Sequence, residues 1–318
     1  ADTLTNYKRS RTLARVASGL IPVKRPGVHG LTTATVWVTA CGMTRLTPPA
    51  AERGYLMESD DEATRLDVKT DGRTVEEHAR WAGLTPGQRV ADLGCGSGKT
   101  TFHLNRLAQP GGGALGVDLA AQRIDFARQH YRAEGLEFLV KDIREPLDEL
   151  GSFDFIWIRF VLEYYRAQSF DLVRHVADAL RPGGTLCLID LDCNCLRFHG
   201  FPPRTARAVN RIMELLETRR NFDPYVGVKL YSYLYDLGFQ DIRVRVAPHN
   251  LIYATFQENA KFNWRKKAEI AGKLSGYGFE EYPGGYAEFI SELDRLFSDP
   301  RVFTYTPLMV CRGRKPGS

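Results

Sequence analysis

Five short apolar runs, separated by stretches of helical rhythm, constrain this chain more than any other feature. They fall at Val90–Leu93, Ala114–Val117, Leu136–Val140, Phe153–Ile158 and Leu186–Leu191. The clearest helix between them is 170–180, where Leu172, Val173, Val176, Ala177 and Leu180 recur at three- and four-residue steps. Arg181-Pro182-Gly183-Gly184 then stops that helix and turns the chain into the next strand. Helices are predicted near 204–220 and over 226–237, a strand over 241–247, mostly helix over 250–300, and a last strand over 302–310. Alternating strands and helices argue for an α/β fold, a doubly wound, mostly parallel sheet of seven strands with helices on both faces.

Length and composition set the frame for that sheet. The chain has 318 residues, 43% hydrophobic and 25% charged, values of an ordinary globular enzyme and not of a disordered, collagen-like or coiled-coil chain. Its net charge of +5 is unevenly placed: residues 1–55 carry +6 and the other 263 residues sum to −1. The basic character therefore belongs to an extension over residues 1–54. The core is expected over 55–249, a helical lid over 250–300, and the final strand and tail over 301–318. The longest uncharged stretch near the N-terminus, Gly30 to Thr44, is shorter than the roughly 20 apolar residues that span a bilayer, so no membrane partner is expected.

The six cysteines, at 41, 95, 187, 193, 195 and 311, have no disulfide-framework spacing, and a reduced, cytoplasmic protein is the expectation. Cys193, Cys195 and His199 read C-x-C-x3-H, but structural zinc takes four ligands and no second cluster accompanies them, so no metal is expected.

The sharpest local motif is Asp92-Leu93-Gly94-Cys95-Gly96-Ser97-Gly98-Lys99-Thr100, which leaves a strand and opens a helix. Glycines at alternate positions permit a tight turn and close ligand approach, and the helix start offers free N–H groups. A nucleoside-triphosphate loop would need glycine at 93, which is leucine; a dinucleotide loop would need G-x-G-x-x-G. An S-adenosylmethionine loop, E/D-x-G-x-G-x-G, fits at every position from Asp92 to Gly98. Asp118, at the tip of the next apolar run, is spaced to accept the two hydroxyls of a ribose.

With Lys141-Asp142-Ile143 after the third run, Trp157-Ile158-Arg159-Phe160 after the fourth and the Arg181–Gly184 turn, the order of motifs resembles the class I S-adenosylmethionine-dependent methyltransferases over about two thirds of the chain. The resemblance implies S-adenosylmethionine as cofactor, with Asp92, Gly94, Gly96 and Gly98 forming its loop. Asp118 and Leu119 would lie at the ribose, Asp142 at the adenine amino group, Ile143 against the ring, and Arg159 and Phe160 near the methionine end. Upstream, the stretch Tyr55 to Leu66 resembles one found before the core of many small-molecule members. There Tyr55 would cover the cofactor and Arg65 approach its carboxylate, as suits a guanidinium.

Methyl transfer needs a general base only when the acceptor must lose a proton. Asp192, His199, Tyr164 and Glu163, with Asp190 and His249, are the candidates beyond the strand ends, and the sequence selects none. Residues 220–290 hold 15 of the 35 aromatics, and Lys261, Arg265, Lys266 and Lys267 interleave with Phe262 and Trp264. That mixture suggests a lid over an apolar or anionic small molecule, and a homo-oligomer is compatible with it. Two rival readings remain open here. One is a methyltransferase tethered to RNA or protein by the basic extension, although the segment after the fourth strand lacks the N/D-P-P-Y/F pattern of base-amine enzymes. The other is a fold that uses or binds the cofactor without methylation, as aminopropyl transferases and non-catalytic partners do.

Overall fold

The computed structural model describes residues 62–253 and 258–317, with the side chains of 258–263 left aside. Tyr55, the 1–54 extension and the side chains of Lys261 and Phe262 therefore lie outside what is described. Two helices, α1 (Glu62–Lys69) and α2 (Gly72–Ala82), lead into the sheet. The strands and helices then alternate: β1 (Arg89–Leu93), α3 (Lys99–Ala108), β2 (Gly113–Asp118), α4 (Ala121–His130), β3 (Leu136–Val140), β4 (Phe153–Arg159), α5 (Ser169–Asp178) and β5 (Leu180–Leu191). All five apolar runs are strands. The four buried apolar positions of α5 are Leu172, Val173, Val176 and Ala177, residues whose spacing predicts the helix.

The sheet has the order β3-β2-β1-β4-β5-β8, with β1 to β5 parallel. β8 (Phe303–Arg314) runs antiparallel to β5, and β7 (Gln240–Ile252) antiparallel to β8. The chain reverses its direction of travel across the sheet between β1 and β4, and in open α/β sheets the crevice at the carboxyl ends of such strands is where ligands bind.

The sheet has eight strands and not seven. The extra one, β6 (Phe198–His199), pairs with Phe303 and Thr304 of β8, continuing the edge of β8 that β5 occupies from Leu308 onward. A two-residue strand has no period to read, so the sequence pattern carries no trace of it. A second departure concerns Arg181–Gly184. These residues do not separate helix from strand; β5 already begins at Leu180. Leu180 faces Phe153 and Thr185 faces Phe155, so the segment bulges out of the β4–β5 ladder, with Gly183 at φ 75°.

Beyond β6 come α6 (Pro203–Arg219), a 3-10 turn at Val226–Lys229, α7 (Leu230–Asp236), α8 (Glu258–Ser275) and α9 (Gly285–Leu296). The helix expected over 226–237 is thus a 3-10 turn followed by a short α-helix. Two apolar cores flank the sheet. One packs α5, α7 and the linking turns on it, the other packs α2 and α3. A further core lies off the sheet. There α6 (Ala208, Val209, Ile212, Met213, Leu216), Trp264 of α8 and Phe289 and Leu293 of α9 pack together. Glu292 of α9 fixes this assembly to α6. Its carboxylate accepts from Arg204 and from Thr205, and Arg204 also reaches Glu288 at 3.0 Å.

The centre of the sheet is the rigid element, and Phe155, fully buried and stacked with Trp157 at 6.3 Å, represents it. Truncating a buried phenyl ring removes its transfer energy and leaves a cavity, so Phe155→Ala should cost about 3–5 kcal/mol of stability. Urea denaturation followed by circular dichroism measures this, and a loss under about 1 kcal/mol would mean the site can collapse around the missing ring.

Candidate active site

β1 ends on Leu93, and the next four residues form the floor of a cavity of about 240 Å³ at the carboxyl ends of β1, β2 and β4. Gly94, Gly96 and Gly98 all take left-handed backbone, at φ 83°, 56° and 83°. A Cβ at Gly94 would stand 2.4 Å from Val161, and one at Gly98 2.5 Å from Ala127 and 2.8 Å from the Phe138 ring. Both conformation and space therefore demand glycine. The N–H groups of Gly94 and Cys95 donate to the Val117 carbonyl at 2.8 and 3.0 Å, so the loop is hung from the end of β2.

Asp92 and Asp118 lie on either side of that loop. Asp92 is buried, and its Oδ2 accepts from Thr101 at 2.7 Å. Burial pushes its carboxyl up to about 7, against the pull of the Thr101 bond and Arg159. Asp118 accepts the Gly96 N–H at 2.9 Å and the Ala120 N–H at 3.0 Å, and Arg123 of α4 holds Oδ1 through Nε at 3.0 Å. The acid both shapes the loop and starts α4 while it lines the cavity.

The remaining walls follow the strand ends. After β3, Asp142 is gripped by Arg144, whose Nη2 stands 2.6 Å from Oδ2, and Ile143 is buried beside it. At the end of β4, Phe160 holds a left-handed backbone at φ 58°, a conformation that costs a non-glycine residue energy and that the Phe160 N–H bond to Ile189 (2.9 Å) helps to hold. Its ring has Lys69 4.8 Å from its centroid, Arg159 at 4.3 Å, and His249 packed at 5.2 Å. From α1, Arg65 lines the cavity with its guanidinium paired to Glu62 at 2.6 and 2.7 Å.

Of the sequence-predicted cofactor residues, Arg65, Asp92, Gly94, Gly96, Asp118, Leu119, Asp142, Ile143, Arg159 and Phe160 come together on one cavity wall. Gly98 lies beneath, as the N-cap of α3. The base candidates divide. Glu163 and Tyr164, in a 3-10 turn after β4, line the cavity. Asp192 and His199 do not: Asp192 accepts from Cys193 at 3.3 Å, and His199 sits exposed in β6. His249 lies behind Phe160, outside the lining. Asp190 is fully buried and accepts the Glu163 N–H at 3.2 Å, which makes it a support for the Glu163 turn. Among the described residues no cluster of three or more His, Cys, Asp or Glu is placed to hold a metal ion, Cys193, Cys195 and His199 included. Among them, too, no helix is long and apolar enough to cross a membrane.

Four lining residues carry no sequence signal of their own: Lys69, Arg123, Arg144 and Asn194. The arginines follow their acids by five and two positions, a spacing that also occurs on any charged surface. Glu163 Oε2 accepts from Asn194 at 2.8 Å, and Lys267 of α8 approaches Asn194 Oδ1 at 3.4 Å. Burial raises the Glu163 pKa, opposed by Lys267 and Lys69; burial lowers that of Lys69, with Lys267 and Arg65 adding to the effect.

Residues 90–184 match the methyltransferase domain family, which spans the strands and loop just described. Among curated proteins, the chain is 27% identical over 237 residues to phosphoethanolamine N-methyltransferase 1 of Arabidopsis thaliana, covering 73% of this chain and 44% of that protein. It is 34% identical over 116 residues to a ubiquinone biosynthesis O-methyltransferase of Xanthomonas campestris pv. campestris, covering 34% of this chain and 44% of the other. The chain thus spans less than half the length of these relatives. Among solved structures it shares its fold with the cyclopropane synthase MmaA2 of Mycobacterium tuberculosis (TM-score 0.54, 15% identity, 85% of this chain and 100% of that one). It shares it also with the YcgJ protein of Bacillus subtilis (TM-score 0.51, 17% identity, 78% and 100%). Residues 90–184 thus carry a methyltransferase domain, and with the fold around it they support a class I S-adenosylmethionine-dependent methyltransferase with S-adenosylmethionine as its cofactor.

Asp92 gives the site a measurable pH signature. Its folded pKa of about 7 lies above the ordinary 3.8, so its contribution to stability is complete below about pH 3.8 and is lost as pH rises through 7. Asp92→Asn removes the ionisation while keeping the shape. Its stability should therefore gain on the parent's between pH 4 and pH 8, by at most about 4 kcal/mol. Urea midpoints across that range test this, and a gap that does not change with pH would place the Asp92 pKa near its ordinary value.

Proposed function

We propose that the protein transfers a methyl group from S-adenosylmethionine to a small molecule with an apolar body. One observation carries the reading: the cavity over the glycine loop continues without a break into an apolar chamber under the helical cap. The chamber is walled by Ile212, Met213 and Leu216 of α6, Trp264 and Ala271 of α8 and Phe289 of α9. An acceptor lodged there abuts the methionine end of the cofactor site, out of water.

The glycine loop suits the cofactor because its left-handed backbone leaves room where any Cβ would clash. In this reading Asp118 receives the ribose hydroxyls, with Arg123 fixing its carboxylate in place. Asp142 and Ile143 take the adenine, and Arg65 and Arg159 face the methionine end, with Tyr55 as its expected cover. The cofactor's sulfonium supplies an activated methyl carbon with a neutral leaving group. What this chain adds is alignment and exclusion of water, through the closed chamber and the Phe160–Tyr164 segment. Glu163 is the cavity-facing carboxylate, and its raised pKa suits it to take a proton from an acceptor hydroxyl or ammonium. The cap, in this reading, consists of α6, α8 and α9, and residues 62–252 without α6, together with β8, make up the core.

Calorimetry with S-adenosylhomocysteine, followed by transfer of labelled methyl to a panel of apolar phenols, acids and amines, tests the proposal. Asp118→Ala should weaken S-adenosylhomocysteine about 100-fold, as expected for two lost bonds to a charged acceptor. Ala271→Trp, which fills the chamber, should leave that affinity within about two-fold while abolishing transfer. Label appearing on RNA or protein, with the chamber-filling variant still active, would overturn the small-molecule reading.

A further inference from the structure

Six basic side chains line the cavity in the described residues, and they fall into two sets. Arg65, Arg123 and Arg144 are each ion-paired, to Glu62, Asp118 and Asp142. Lys69, Arg159 and Lys267 also line it, and none of these three is ion-paired among the described residues. They converge where the cofactor cleft opens into the apolar chamber. Lys69 and Arg159 lie against the two sides of the Phe160 position, and Lys267 reaches Asn194, which in turn holds Glu163. Two cavity-lining carboxylates have no ion-paired arginine: Asp92, which lies toward Arg159, and Glu163, which lies toward Lys69 and Lys267. Arg159 has the buried Asp92 and Asp190 near it, so the imbalance falls on Lys69 and Lys267, two cations about the single acid Glu163, in a place where burial makes uncompensated charge costly.

The cofactor does not relieve that excess. Its carboxylate is offset by its own ammonium, and its sulfonium adds one more positive charge. The compensating charge therefore has to come with the other ligand. Lys267 is the cation placed to meet it: it projects from α8, one residue before Ala268 and four before Ala271, both of which line the chamber. From the cap side it faces the acceptor and not the glycine loop.

We propose that the acceptor is amphipathic, with an anionic oxygen at its polar end that binds between Lys267 and Lys69 while its apolar body fills the chamber. The inference rests on the methyltransferase reading above and deepens it by assigning the charge of the acceptor. Carboxylate, phosphate and phenolate share the required chemistry. Asn194 bridges Lys267 and Glu163, keeping the one acid of the cluster from collapsing onto the lysine.

The experiment uses the full chain saturated with S-adenosylhomocysteine, and calorimetry with three ligands of one body and different heads: 2-naphthoate, 2-naphthyl phosphate and the neutral 2-naphthalenemethanol. Octanoate and octanol repeat the comparison with an alkyl body. At least one anion should bind 10-fold or more tightly than its neutral counterpart, and which head leads separates carboxylate from phosphate. Lys267→Met should erase that preference and Lys267→Arg retain it, both leaving S-adenosylhomocysteine affinity within two-fold. Equal affinities for anion and alcohol in both series, or a preference that survives Lys267→Met, overturns the proposal. So does a loss of S-adenosylhomocysteine binding in Lys267→Met, which would make the lysine a cofactor ligand. If S-adenosylhomocysteine fails to bind the parent chain at all, it is the cofactor assignment that falls, and the two failures are told apart.

Discussion

The bond from the Gly96 N–H to Asp118 is the point on which the site depends. It joins the loop after β1 to the tip of β2, and with the two Val117 bonds it turns three left-handed glycines into a fixed platform. Each glycine has a separate reason to be there. Gly94 admits Val161 from the segment after β4, and Gly98 lets α3 start against Ala127 of α4 and Phe138 of β3. One loop thus sets the spacing of four strand ends, and the cavity is the space left where they diverge. A side chain at any of these positions would move a neighbouring strand or helix before it blocked a ligand.

Electrostatics then organises the walls. Asp118 and Asp142 are matched by arginines five and two residues on, and for Asp142 the bonds to Arg144 outweigh burial and hold its pKa below the ordinary value. Asp92 has only a threonine hydroxyl and a more distant arginine, and burial prevails, raising its pKa. Asp92 and Asp142 differ both in partners and in depth, Asp92 being buried and Asp142 partly exposed. The same pairing removes three arginines from the pool of charges facing the cavity. What remains, the Lys69, Arg159 and Lys267 group, gives the junction its character.

Much of this was legible in the sequence because the central sheet obeys local rules. Val90–Leu93 and Phe153–Ile158 read as buried strands since parallel strands are apolar on both faces, and the alternate glycines announce their loop by spacing alone. Legibility stops where structure depends on distant partners. β6 exists only because Phe303 and Thr304 of β8 have an open edge there. The Arg181–Gly184 segment looks like a turn, yet a register shift against β4 absorbs it into β5. Asp192 and His199 come one and eight residues after the fifth strand, and Glu163 four after the fourth, so spacing alone does not separate them. The 3-10 turn held by Asp190 brings Glu163 inward, and the loop after β5 takes the other two away.

The cap shows why a helix count cannot substitute for a contact map. α6 follows β5 in sequence, where a covering helix of the sheet would come, and its apolar stripe of Ala208, Val209, Ile212, Met213 and Leu216 would serve that role equally well. It packs instead on α8 and α9, more than forty residues later, because Glu292 and Glu288 of α9 hold Arg204 at its start. An arginine clamp at one end of an apolar helix fixes its direction while the stripe provides the adhesion. The consequence reaches the chemistry. α6 and α8 present their stripes to one another across the chamber and do not seal it, so the space between them stays apolar, and Lys267 on the inner side of α8 is carried to its mouth. The basic side chain at that mouth and the apolar lining of the chamber behind it thus both follow from where α6 finds its partner.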